Sequence, residues 1–99
     1  MALSARQRRA IRIIRREARK KHLRKKEIRA LLKLCKRESD YRRTARNRSC
    51  KGLFQLKTRF GRKKWANAAW NTRKAIRYIK HRYGNCRRAL RHSYRYNWY

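Results

Sequence analysis

Proline is absent from the chain, and glycine occurs at only three positions among its 99 residues. These two residues interrupt regular backbone most strongly, so little in the sequence stops a helix once it has begun. No repeat or low-complexity linker divides the chain, and a length of this order suits one domain with a modest core. We therefore predict a single, mainly helical domain over residues 1–99.

Apolar residues recur at helical spacing in the first half of the chain. Ser4 followed by Gln7 is a capping-box pattern, which predicts a first helix over about residues 5–20. A second helix is predicted by an apolar stripe whose members are three or four residues apart and which ends beside Glu38. The members of this stripe are Ile28, Leu31, Leu32 and Cys35.

The second half of the chain has similar patterns. Two helices are predicted between Trp65 and Tyr83, with Gly84 as a left-handed stop. A short last helix is expected over about residues 86–92. The tail that follows, SYRYNWY, alternates aromatic residues and fits either a short strand or an aromatic plug that closes the core. Of the two, the plug is the prediction.

The charge of the chain is strongly one-sided, with 35 Lys and Arg against four acidic residues and a formal net charge of +31. Such a charge predicts a polyanionic partner, and arginine suits bidentate contact with phosphate or carboxylate. Residues 1–24 are predicted to form a basic helical arm. The arginines of this arm are candidates for non-specific contact with nucleic-acid phosphates: Arg6, Arg8, Arg9, Arg12, Arg15, Arg16 and Arg19.

Several other kinds of site or segment are not indicated by the sequence. The cysteines form no CxxC pair and the histidines lack zinc-finger spacing, so we expect neither a metal nor another cofactor. The N-terminal residues lack the apolar run of a secretory signal, and no stretch is apolar enough to predict a membrane span.

Three short motifs follow one another along the chain: RES at 37–39, GLFQ at 52–55 and RYIKHRYG at 77–84. Together with the terminal NWY, they resemble the soluble lytic transglycosylase domains of the lysozyme superfamily, including those of phage virion and tail proteins. The resemblance covers residues 25–99. It implies a lysozyme-like fold, mainly α with a minimal β element around GLFQ, and a cleft for the glycan strands of peptidoglycan.

The resemblance also implies which residues act on the glycan. Glu38 matches the catalytic glutamate at the end of a core helix. The predicted substrate-binding residues match the serine after that glutamate, a small polar position near it, the glutamine that faces the glycan and the tyrosine of the YI motif; they are Ser39, Asn47, Gln55 and Tyr78. The chain departs from the family pattern at residues 48–51, where RSCK replaces a longer, glycine-containing stretch.

The small number of acids limits the glycosidase chemistry open to the chain. Most glycosidases use two carboxylates that flank the scissile bond. Here Glu17 and Glu27 fall on earlier helical turns, and Asp40 is only two residues from Glu38. The family's mechanism needs one glutamate, which acts first as an acid and then as a base.

Glu38 has an ordinary interpretation as well. A solvated acid at this position would pair with Arg42, one helical turn further on. The nearby Arg37, Arg42 and Arg43 would also favour the ionised form of Glu38 if one of them folded over it. An acid catalyst at this position therefore requires these guanidinium groups to turn away.

These observations give two main functional hypotheses. The first is a lytic transglycosylase of a phage particle, which acts at the host cell wall and cleaves the MurNAc–GlcNAc bond to 1,6-anhydro products. The alternative is a catalytically degenerate lysozyme-like structural protein, which binds nucleic acid or other proteins inside a virion. A basic ribosomal protein fits the composition, but the ordered motifs argue against it. A disulfide between Cys50 and Cys86 is an alternative to three free thiols.

Overall fold

The structure is a computed structural model that describes residues 2–99, and within that range it has five helices and three short strands. The helices are α1 (Ala5–Lys20), α2 (Lys25–Ser39), α3 (Arg62–Trp65), α4 (Ala68–Tyr83) and α5 (Cys86–Tyr96). The strands are β1 (Arg46–Asn47), β2 (Cys50–Lys51) and β3 (Leu56–Lys57). The predicted mainly helical class is confirmed.

The first helix begins and ends where the sequence pattern predicts. The Ser4 hydroxyl accepts a 3.1 Å hydrogen bond from the backbone N–H of Gln7, and the Gln7 side chain accepts a 2.8 Å bond from the backbone N–H of Ser4. This reciprocal pair satisfies two donors that the first turn of a helix leaves free. The capping box is thus confirmed.

The same helix is part of the folded core. Its apolar face, formed by Ala10, Ile14 and Ala18, is buried in one cluster with the apolar faces of α2 and α4. The sequence predicts that residues 1–24 form a basic arm. In the structure, α1 packs into the core, because an apolar stripe at helical spacing is stable only when it is covered. The predicted phosphate-binding arginines of α1 are all exposed on the remaining faces.

Helix α2 packs against α5, and α1 packs against α4. From the predicted stripe of α2, Leu31 and Cys35 have no exposed surface, whereas Ile28 and Leu32 are half-buried at its margin. Ile76 and Ile79 of α4 complete this core. Glu38 follows directly from the stripe and lies one residue before the end of α2.

A small antiparallel sheet surrounds the GLFQ segment. Strands β1 and β2 pair with Asn47 opposite Cys50, so a connection of two residues, Arg48 and Ser49, closes the hairpin. Strands β2 and β3 pair with Lys51 opposite Leu56, which makes residues 52–55 the loop between them.

The last helix continues beyond the predicted end at His92, as far as Tyr96. The reason is a tertiary contact, because Arg37 donates hydrogen bonds to the hydroxyl and carbonyl of buried Ser93 and so holds this turn against α2. Of the aromatic tail, Tyr99 alone is turned inwards. The plug prediction is therefore correct for Tyr99 and wrong for the three exposed rings before it, Tyr94, Tyr96 and Trp98.

No helix within residues 2–99 is long and apolar enough to cross a membrane.

Candidate active site

Three of the four acidic side chains are engaged in holding the fold together, and Glu17 is the most buried of them at 2% exposed. Its carboxylate lies 3.2 Å from Arg16, 3.3 Å from Lys20 and 3.2 Å from Arg73. Burial by itself would raise the pKa of Glu17, but the hydrogen bonds from Arg73, Lys20 and Arg16 outweigh it and the pKa is lowered. Glu17 therefore stays ionised and joins α1 to α4.

Glu27 and Asp40 also have structural partners. The two Glu27 carboxylate oxygens accept hydrogen bonds of 2.6 and 3.3 Å from the backbone N–H groups of Cys86 and Arg87. A carboxylate at a helix N-terminus satisfies free donors and complements the helix dipole. Gln7 donates to the Asp40 carbonyl at 2.8 Å and to its carboxylate at 3.4 Å.

Glu38 is the acid without such a partner. All the hydrogen bonds and salt bridges that acidic side chains of residues 2–99 accept go to the other three acids. Glu38 is nevertheless half-buried. Burial raises the pKa of this carboxyl, and the positive charge of Arg37 offsets only part of that effect. Glu38 therefore stays protonated to a higher pH than an ordinary glutamate does.

Within residues 2–99, none of the three neighbouring arginines forms a salt bridge with Glu38. Arg37 bonds to Ser93 at 3.0 and 3.1 Å, and its guanidinium stacks 4.5 Å from the ring centroid of Tyr94. Arg43 donates a 3.3 Å hydrogen bond to the carbonyl of Ala66. In the described chain no salt bridge joins Arg42 to Glu38. The solvated ion pair considered from the sequence is therefore not formed.

The backbone after Glu38 makes an abrupt left-handed turn. Asp40 has φ 53° and Tyr41 has φ 62°, and Gln55 in the facing loop has φ 51°. Residues other than glycine seldom adopt positive φ, and such conformations concentrate where function requires them. Asp40 is the left-handed cap that ends α2 directly after Glu38 and Ser39. Comparable φ values occur elsewhere in the described chain, at His22, Arg48 and Asn97.

The GLFQ loop is fixed by side chains from three separate parts of the fold. Ser39 donates a 2.7 Å hydrogen bond to the carbonyl of Leu53, and Tyr99 donates a 2.6 Å bond to the carbonyl of Phe54. The side-chain oxygen of Asn71 accepts a 3.0 Å bond from the backbone N–H of Phe54. The loop that forms one wall of the candidate cleft is therefore rigidly positioned relative to Glu38.

Asn71 is a central residue of the site that sequence reasoning overlooked. Its amide nitrogen donates 3.1 Å hydrogen bonds to the carbonyls of Lys51 and Trp65, so one buried side chain satisfies three backbone groups. Gly52, at φ 83°, lies against this amide, and a Cβ there would collide with Asn71 and with the Trp65 carbonyl. A polar residue on the buried face of a predicted helix was the available signal.

A cavity of about 500 Å³ opens between this loop and α4. Its volume is in the range of small-molecule sites. Three aromatic side chains, three cations and the Gln55 amide contribute to its wall, and the full lining is Cys50, Gln55, Leu56, Lys57, Lys74, Tyr78, Arg82, Trp98 and Tyr99. Such a mixture of flat rings and polar groups suits a polar ring-shaped ligand.

Two predicted substrate-binding residues line this cavity. Gln55 donates hydrogen bonds to the carbonyls of Ala45 and Gly52 at 3.1 and 2.9 Å, and these bonds fix the direction of its amide. The Tyr78 ring lies edge-on to Tyr99 with centroids 5.6 Å apart. Burial raises the pKa of Tyr78, so its hydroxyl remains protonated as a donor.

The other predicted residues are placed differently. Glu38 is not part of the cavity lining, but it lies near Tyr99: burial raises the pKa of Tyr99, and the charge of Glu38 raises it further. Ser39 is buried with its hydroxyl bonded to the protein, so its visible contact is with the loop. Asn47 is exposed on β1, opposite Cys50.

All three thiols are free. The disulfide between Cys50 and Cys86 that the sequence left open is therefore not formed. Burial raises the pKa of Cys35 to about 12 and that of Cys86 to about 12. These thiols are therefore protonated and behave as small buried hydrophobic groups. Within residues 2–99, no three His, Cys, Asp or Glu side chains come together as a metal site would require.

Comparison of the chain with protein-family models, with curated proteins and with solved structures finds no match.

Proposed function

We propose that the protein is a peptidoglycan lytic transglycosylase with a lysozyme-like fold, and that Glu38 is its catalytic acid and base. The observation that carries this proposal is the state of Glu38, which is half-buried, has a raised pKa and accepts no bond from its neighbours. The chain has a net charge of +31 and only four acidic residues. An acid among them that stabilises no contact of the fold is a candidate for a chemical role. The reaction class comes from the resemblance of the RES, GLFQ and RYIKHRYG motifs to soluble lytic transglycosylase domains.

The proposed reaction uses one carboxyl group twice. Protonated Glu38 gives its proton to the glycosidic oxygen between MurNAc and GlcNAc, and the C1–O bond breaks as the GlcNAc hydroxyl leaves. The resulting carboxylate then takes the proton of the C6 hydroxyl of the same MurNAc. Oxygen O6 attacks C1, and the 1,6-anhydro ring closes without consuming water. Glu38 ends the cycle protonated.

The raised pKa favours the first step, because a general acid acts in its protonated form and a higher pKa increases the protonated fraction at any given pH. The engagement of Glu17, Glu27 and Asp40 in fold contacts leaves no second free carboxylate among residues 2–99 for a two-acid mechanism. Within the cavity, the side-chain carbonyl oxygen of Gln55 and the hydroxyl of Tyr78 are suited to orient the sugar, since the Gln55 N–H groups are bonded to the protein. Ser39 acts indirectly, by holding the loop that carries Gln55.

The direct test is release of anhydro-muropeptides from purified cell walls, with wild type measured beside Glu38→Gln. The variant is expected to lose cleavage while it keeps its fold, because glutamine is isosteric but cannot give up and regain the proton. Asp40→Asn is the matched control, since asparagine also accepts left-handed backbone. Wall cleavage by Glu38→Gln at the wild-type rate would refute the proposal.

A second function, binding of polyanions, is favoured by a separate observation. All salt bridges of residues 2–99 converge on Glu17, so most of the 35 Lys and Arg side chains have no carboxylate partner. The exposed arginines of α1 are suited to bind DNA phosphates or the anionic cell wall. A protein of a phage particle would use both functions. A lysozyme-like structural protein without catalysis would use only this one.

A further inference from the structure

The last turn of α5 and the residue after its cap present three large aromatic side chains to solvent. Tyr94, Tyr96 and Trp98 are 55%, 50% and 49% exposed. Single exposed rings are ordinary on protein surfaces, but a group of them within residues 94–98 indicates a contact surface. We refer to Tyr96 and Trp98, with the His92 ring packed against both, as the aromatic surface. Tyr94 lies apart from it, against Arg37.

This surface has a defined geometry. Asn97 adopts φ 60° and donates a 2.8 Å hydrogen bond to the carbonyl of Ser93, which turns the chain back towards α5. The Trp98 carbonyl then lies 2.9 Å from Nδ1 of His92. The His92 ring packs edge-on against Trp98 at 4.4 Å and tilted against Tyr96 at 4.6 Å. The rings of Tyr96 and Trp98 are therefore held side by side.

An arginine accompanies each exposed ring. The guanidinium carbon of Arg37 lies 4.5 Å from the centroid of Tyr94. Arg95 lies 5.5 Å from the centroid of Tyr96, and Arg82 lies 5.5 Å from that of Trp98. None of these arginines takes part in a salt bridge with the acids of residues 2–99. A positive charge without a counter-charge therefore lies over one face of each ring.

We propose that the aromatic surface binds single-stranded nucleic acid, with bases stacked on Tyr96 and Trp98 and phosphates bound by Arg82 and Arg95. An unpaired strand alternates flat bases with negative phosphates, and aromatic rings beside cations are the usual platform for it. A duplex stacks its bases on one another and offers mainly phosphates to such a surface. Trp98 and Arg82 also line the cavity beside the GLFQ loop, so the proposed surface adjoins that cavity, but Glu38 takes no part in it.

Most other partners satisfy fewer of these features. A neutral glycan strand would use the rings but leave the guanidinium groups unused, whereas fragments of the anionic cell wall would use both and are therefore included in the test as competitors. A second copy of the chain would bring a further net charge of +31 against the same surface. Single-stranded nucleic acid uses both the rings and the charges.

The test is a titration of the full chain into a labelled oligothymidylate of about 12 nucleotides, a length within the range of known single-strand sites. A duplex of the same length is titrated in parallel. Trp98→Leu is expected to weaken single-strand binding about tenfold, the effect of one stacked base. The duplex is expected to change by less than about twofold, because no charge is removed.

Phe60→Leu is the matched control. Phe60 is also a ring that is 49% exposed, with the Lys64 ammonium 5.1 Å from its centroid, but it lies outside the aromatic surface. This variant is expected to bind the single strand as wild type does. Trp98→Phe keeps a flat ring and is expected to retain most of the affinity.

Trp98→Leu is expected to fold, because the backbone carbonyl of residue 98 keeps its hydrogen bond to His92. Circular dichroism checks that the variant is folded. Should it unfold, Tyr96→Leu is measured in its place with the same expectation. An equal loss for single strand and duplex, or an equal loss in Phe60→Leu, would overturn the proposal. Displacement of the labelled oligonucleotide by a glycan oligomer, either neutral or from the anionic cell wall, would overturn the proposal in favour of a glycan site.

Discussion

The hydroxyl of Tyr99 donates a 2.6 Å hydrogen bond to the carbonyl of Phe54 and so fastens the aromatic tail to the GLFQ loop. Tyr99→Phe keeps the ring and leaves this partly buried carbonyl without its donor. We expect the free energy of unfolding to fall by about 1 kcal/mol, measured by urea denaturation. Tyr96→Phe is the control, because its exposed hydroxyl accepts and donates no bond within the described chain, and we expect a change within about 0.5 kcal/mol. Equal effects would contradict the importance of the Tyr99 bond.

The two asparagines of the α4 region should respond in opposite ways to the same substitution. In Asn71→Asp, an oxygen replaces the nitrogen that donates to the carbonyls of Lys51 and Trp65, and a charge is buried. We expect a loss of about 3 kcal/mol or more in the free energy of unfolding. In Asn67→Asp, the cap bond to Trp70 is kept and the charge complements the helix dipole, so stability should be unchanged or higher. Similar losses at both positions would show that the bonds of Asn71 do not hold the GLFQ loop in place.

The pH dependence of stability distinguishes Glu38 from Glu17. Because the pKa of Glu38 is raised in the folded state, its stabilising contribution is complete below its ordinary pKa of 4.5 and is lost as pH rises through the raised value. We therefore expect Glu38→Gln to be more stable than wild type at neutral pH and to converge with it in acid. Urea midpoints across this pH range provide the measurement.

Glu17→Gln should show the opposite sign. The pKa of Glu17 is lowered, so its contribution is present above the ordinary value of 4.5 and is lost as pH falls through the lowered value. The variant is expected to be less stable than wild type at neutral pH, and the difference should shrink in acid. Two curves of the same sign would show that one of the two carboxyl environments is misassigned.

The salt dependence of duplex DNA binding tests the α1 surface. Its exposed arginines are replaced by glutamine, with Arg16 spared because it bonds to Glu17. The slope of log affinity against log salt should then fall by about 0.9 for each DNA phosphate that the protein no longer neutralises. The residues changed are Arg6, Arg8, Arg9, Arg12, Arg15 and Arg19. Wall cleavage should be retained.

A control of equal charge removes cations elsewhere on the surface: Arg59, Arg62, Lys63, Lys64, Arg87 and Arg88. If this control flattens the slope as much as the α1 variant does, binding depends on total charge and not on α1. If only the control flattens it, the phosphate-binding groups belong to the body of the protein.

The features that the sequence predicts well are local ones. Ser4 and Gln7 are three residues apart, and their spacing alone determines the capping box. The Tyr99 bond to Phe54 spans 45 residues, and the Asn71 bond to Phe54 spans 17. No periodicity encodes such bonds, because they depend on how the helices pack. The sequence misplaces the end of α5 for the same reason, since Arg37 holds Ser93 from another helix.

The bonds of Glu17 and Glu27 have a consequence for the order in which the chain folds. Arg73 is 56 residues from Glu17, and Cys86 is 59 residues from Glu27. During synthesis, α1 and α2 leave the ribosome before the groups that bind their carboxylates exist. Closing loops of this length also costs entropy before any interaction compensates for it. The N-terminal half is therefore expected to stay unfolded until α4 and α5 emerge, and polyanions such as the ribosomal RNA nearby would meet it first as a flexible cationic chain.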